Sequence, residues 1–117
     1  MTHEEKKTAK IVEELTIFFF ALGAEHISSD IHRTDTNAVI TFEADYHPMY
    51  ADKVEKLDQY LNGQKNDGME DIYWELAGSG DPGETSQLLL VGMMIDRAEI
   101  EVRDRFVRLK LYKELLG

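Results

Sequence analysis

The feature that most constrains this chain is a change of hydrophobic period that occurs twice. Ile11, Val12, Leu15, Phe18, Phe19 and Leu22 recur at helical spacing within residues 4–23. From His26 to Tyr46 the period falls to two: Ile27, Ser29 and Ile31 alternate, then Ile40, Phe42 and Ala44 alternate against Val39, Thr41 and Glu43. A three- to four-residue period lays apolar groups along one helix face, whereas a two-residue period lays them on one face of a strand. The pattern predicts a helix capped by Thr2 and stopped by Gly23, then a hairpin turning at Asp35-Thr36-Asn37.

The same succession returns near the end. After Pro48, Ala51–Leu61 has helical spacing, stopped by Asn62-Gly63. Residues 69–77 fit either period and are read as a helix. The run Gly78-Ser79-Gly80-Asp81-Pro82-Gly83 reads as a loop, and Thr85 or Ser86 caps an apolar helix to about Ile95. Ala98, Ile100 and Val102, then Val107, Leu109 and Leu111, alternate around Arg103-Asp104-Arg105. The order α-ββ-α-(α)-α-ββ predicts an α/β two-layer sandwich in one domain over 1–117. Its sheet is expected to be mixed or mainly antiparallel, of about four strands, with helices on one face.

Composition narrows the function. The chain has 117 residues, 13 basic and 23 acidic side chains, a net charge of −10 and no cysteine. Absence of Cys excludes disulfides, Cys-based zinc sites and thiol catalysis, and fits a cytoplasmic protein. Residues 41–84 hold eleven of the acidic and three of the basic groups. Such a balance argues against nucleic acid, whose phosphates require clustered Lys and Arg. The apolar run Leu15–Ala24 is too short to span a membrane, and Glu4, Glu5, Glu13 and Glu14 make it a poor leader.

Motifs for chemistry are sparse. Gly78-x-Gly80-x-x-Gly83 has the dinucleotide spacing, but Asp81 and Glu84 would oppose a pyrophosphate and Pro82 removes a donor. His26 and His32 share a strand face yet lie ~20 Å apart at ~3.3 Å per residue, too far for one ion. No metal, cofactor or nucleophilic triad is expected. Phe18, Phe19 and Phe20, ~100° apart on a helix, cover more of its circumference than one sheet can bury. Either the 51–61 or 69–77 helix folds over the remainder and buries it in the core, or some of Ile17, Phe19 and Phe20 face a protein partner, with a second copy of the chain as the candidate.

With this order of elements the chain resembles the Bergerat-fold (GHKL) ATPase domain, nearest to the anti-sigma-factor kinases and the histidine-kinase catalytic domains. The resemblance begins at the helix of the first ATP motif and lacks the strand that usually precedes it. That motif, Glu-x-x-x-Asn followed by His-Gly, corresponds to Glu14, Phe18, Leu22 and Gly23. Phe18 stands where the family places its magnesium-binding Asn, and a phenyl ring cannot ligate a hard cation. In the second motif, Asp-x-Gly, Asp45 keeps the adenine-binding position and His47 replaces Gly. In the third, Gly-x-Gly-Leu, Thr85 and Gln87 replace the glycines ahead of Leu88.

The resemblance implies a histidine-kinase-like scaffold without ATP binding, serving as a regulatory or protein-interaction domain. Two other classes compete. One is a small-ligand module using a former nucleotide cleft lined by Phe18, Leu22 and Gln87. The other is an unrelated enzyme using Asp45, His47 and Glu14.

Overall fold

The computed structural model describes residues 2–63 and 84–115, apart from the side chains of 84–86. The readings of 69–77 as a helix and 78–83 as a loop lie outside the described residues.

Helix α1 (His3–Ala21) opens with a capping box. The Thr2 hydroxyl accepts the Glu5 N–H at 3.1 Å, and the Glu5 carboxylate accepts the Thr2 N–H at 3.3 Å. Two orphan donors of the first turn are thereby satisfied. At the other end Gly23 takes φ 83°. Its N–H donates to the Phe20 carbonyl and that of Ala24 to the Phe19 carbonyl, both at 3.0 Å. This is a Schellman stop, which needs a left-handed residue that glycine supplies without strain.

Strand β1 (Ile27–Arg33) pairs with β2 (Asn37–Asp45), β2 with β4 (Phe106–Glu114), and β4 with β3 (Arg97–Arg103). The order is β1-β2-β4-β3, and every pairing among the described residues is antiparallel, with no mixed pair. The two expected hairpins therefore join through their second strands into one sheet. The first turn is set by Thr34, whose hydroxyl accepts the N–H groups of Thr36 and Asn37, so Asn37 already belongs to β2.

Between the hairpins, a 3-10 turn (Pro48–Tyr50) leads into α2 (Ala51–Glu55) and α3 (Leu57–Asn62). The single helix expected over 51–61 is thus broken at Lys56, which caps both pieces at φ −93°, ψ 0°. Helix α4 (Glu84–Met94) already includes both expected caps, Thr85 and Ser86.

Alternation selects one sheet face for burial. Ala38, Ile40, Phe42 and Ala44 of β2 and Val107, Leu109 and Leu111 of β4 are fully buried. All of these but Ala38 pack with Ile11, Leu15, Phe18 and Phe19 of α1, Leu57 and Leu61 of α3, and Leu88 and Val91 of α4. Each of the Val, Leu, Ile and Phe side chains among them contributes roughly 1.5–3 kcal/mol when taken from water. Lys113 continues the buried row of β4. Its ammonium donates to the Met94 carbonyl at the end of α4 (2.8 Å) and pairs with Glu4 (3.3 Å), tying α4, β4 and α1 together.

The opposite sheet face is polar, as one face of an antiparallel sheet can be. Arg108 there pairs with Glu43 and Arg103 with Glu101, while Arg97 lies 3.8 Å above the Tyr112 ring.

Candidate functional site

The expected nucleotide-site positions divide between core and scaffold. Phe18 is 1 % exposed and stacks edge-on against Phe19, with ring centroids 5.2 Å apart. Leu22 is equally buried. Both side chains belong to the hydrophobic core. Glu14 is nearly buried, and its carboxylate meets Lys10 at 2.9 Å on the same helix. Gln87 is half-buried, and the side chain of Thr85 lies outside the described residues.

Asp45 and His47 do come together, where the end of β2 passes the end of α1. One oxygen of Asp45 accepts the N–H groups of Glu25 at 2.8 Å and His26 at 3.0 Å. The His26 N–H foremost, and the Glu25 N–H with it, hold the Asp45 carboxyl below the usual carboxylate range. His47 donates its N–H to the Leu22 carbonyl at 2.9 Å, and its Nδ1 accepts the Met49 N–H at 3.1 Å. A cavity of about 290 Å³ lies between them, lined also by Gly23, Glu25, Tyr46 and Arg105.

That arrangement is structural chemistry. Asp45 caps the start of β1, and His47 caps the 3-10 turn while fastening it to α1. A Cβ on Gly23 would lie 3.2 Å from the His47 Cβ, so the two segments touch. Glu14 does not line this cavity, so the trio Glu14, Asp45 and His47 is not assembled as a catalytic set. Among the described residues, no group of three His, Asp or Glu is placed to hold a metal.

The expected interface residues divide differently. Of the three candidates, Phe19 is fully buried against Phe42, with centroids 5.5 Å apart. It follows Phe18 around the helix on the sheet side. Phe20 and Ile17 lie on the side away from the sheet and are 64 % and 46 % exposed. Helix α4 repeats this, with Met93 and Leu90 exposed while Leu88 and Val91 are buried. The sequence reasoning missed this second pair. Its signal was the unbroken run Leu88–Val91 followed by Met93 and Met94, since a helix apolar all round is normally covered all round.

No family model, no curated protein and no solved structure matches the chain. Among the described residues no helix is long and apolar enough to cross a membrane.

Proposed function

We propose that this chain is a non-catalytic, cytoplasmic protein-interaction domain. In this reading it is a relative of the histidine-kinase-like ATPases whose nucleotide motifs have become structural. What carries the reading is how the motif positions are used. Phe18 is packed into the core where the family's metal ligand would stand. The hydrogen-bonding groups of Asp45 and His47 serve the backbone of residues 22–26 and 49.

The docking surface is the outer face of the helix layer, with Ile17 and Phe20 on α1 and Leu90 and Met93 on α4. A partner protein with a matching apolar ridge would remove these groups from water, the main source of interface energy. Titration calorimetry with ATP and magnesium tests the loss of the nucleotide site. No binding heat is expected. A dissociation constant below ~100 µM, about 5.5 kcal/mol of affinity, overturns the reading.

A further inference from the structure

The two edges of the sheet are treated differently. At β3, Ala98 turns its N–H and C=O away from β4, and Asn62 takes both: Oδ1 accepts at 2.9 Å and Nδ2 donates at 3.0 Å. A side-chain amide thus occupies this edge as a further strand would, and α3 lies along it. Among the described residues strand β1 has no such cover, and six of its seven residues are exposed.

Which groups β1 offers follows from its register. The Asp45 N–H donates to the His26 carbonyl at 3.2 Å and the Thr34 N–H to the Asn37 carbonyl at 2.8 Å. Antiparallel bonding alternates, so residues 26, 28, 30, 32 and 34 bond towards β2. Ile27, Ser29, Ile31 and Arg33 therefore turn their N–H and C=O groups outward. Among the described residues nothing meets them. Unpaired edge groups of this kind are a template for another strand.

We propose that β1 pairs antiparallel with β1 of a second copy, centred on Ile31, to form one continuous eight-stranded sheet. The side chains choose both occupant and register. With Ile31 opposite itself, Asp30 of each copy stands opposite His32 of the other, on the polar sheet face. The two Ile31 side chains, 47 % exposed in the single chain, cover one another on the helix side. Shifting the centre to Asp30 sets two carboxylates face to face, and shifting it to His32 opposes two imidazoles. Directly opposed carboxylates destabilise a ladder, and either shift takes from Asp30 the imidazole N–H donor that the centred register places opposite it. The contact is isologous and closes after two copies.

Its two-fold axis runs through the sheet, so both helix layers emerge on the same side. The pair then offers two copies of the Ile17–Phe20 surface to another protein. Self-association at β1 does not depend on what docks at the helices.

Light scattering at micromolar concentrations tests this, reading mass directly. The expected wild-type mass is about 27 kDa, twice the 13.5 kDa chain. Ile31→Pro removes an outward N–H without touching the β1–β2 ladder and is expected to give the single-chain mass, as is His32→Glu, which opposes two acids. Combining Asp30→Lys with His32→Glu is expected to restore the doubled mass, because the pair is then complementary again. Phe20→Glu is expected to leave the doubled mass unchanged. A wild-type mass of one chain throughout the range overturns the proposal. So does a doubled mass that survives both Ile31→Pro and His32→Glu, or one that only Phe20→Glu abolishes, which would place the seam on α1. His32→Glu changes an exposed side chain, so the test stands even where the proline variant fails to fold.

Discussion

Asp45 stabilises the fold through two N–H groups that lie twenty and nineteen residues upstream, at Glu25 and His26. Removing an acceptor from two such donors costs about 1–3 kcal/mol when the acceptor is charged. Asp45→Ala is therefore expected to lower the unfolding free energy in urea melts by that amount, and Asp45→Asn, which keeps an uncharged acceptor, by less. Because the folded-state pKa is depressed, this contribution is present above the ordinary aspartate value of ~3.9 and is lost as pH falls through the lower folded value. Asp45→Asn should accordingly flatten the acid limb of a stability–pH curve; an unchanged limb would count against the assignment. A second residue is strained: Asp104 holds φ 54° in the β3–β4 turn. Its carbonyl accepts the Tyr46 hydroxyl at 3.0 Å, which fastens the turn to the end of β2. Asp104→Gly keeps that carbonyl and relieves the left-handed backbone. It should raise the thermal midpoint by the equivalent of about 0.5–1 kcal/mol. Gly23 was legible as a helix stop because its partners are its neighbours. The duty of Asp45 was not, because its donors come near only after folding.

At the scale of elements, α4 is fixed against α3 by the absence of a side chain. A Cβ built on Gly92 would lie 2.5 Å from the Tyr60 carbonyl oxygen and 3.1 Å from that of Leu61. Alanine favours a helix interior over glycine by about 1 kcal/mol. Here that gain is set against a backbone clash, and overpacking costs about 1–3 kcal/mol. Gly92→Ala is expected to lower the thermal midpoint, although it improves the isolated helix. A rise in midpoint would mean that the helices can part at little cost. In sequence alone this glycine reads only as a weak point in an apolar helix, since its neighbour belongs to another element. The break at Lys56 was equally hidden, because Val54, Leu57 and Leu61 keep helical spacing across it. Strand alternation was legible in β2 and β4, where only one face of the sheet is covered and a shift by one residue would expose the entire row.

At the scale of the molecule, the described residues hold an α-β-β unit twice, α1-β1-β2 and α4-β3-β4, with β2 and β4 paired at the centre and β1 and β3 at the edges. No repeat is visible in the residues, because each unit needs only the period of its apolar positions. Strand order was beyond the sequence for a related reason: alternation says which face a residue takes and nothing about which strand lies beside it. The same limit applies to the helix layer. Three successive phenylalanines had to point in different directions, but only packing shows that Phe19 turns inward and Phe20 outward. This division gives a paired prediction. Phe19→Ala empties a fully buried position and should cost about 3–5 kcal/mol. Phe20→Glu changes an outward residue and should leave stability within about 0.5 kcal/mol. It should also reduce binding of an apolar fluorescent dye, because a charge then interrupts the Ile17–Phe20 surface. Denaturant melts of the two variants beside dye titration of the folded proteins separate these effects. Were Phe20→Glu to destabilise the chain as much as Phe19→Ala, Phe20 would belong to the core and would not contribute to the docking surface. Equal stability with unchanged dye binding would remove Phe20 from the docking surface and leave Leu90 and Met93 to carry it.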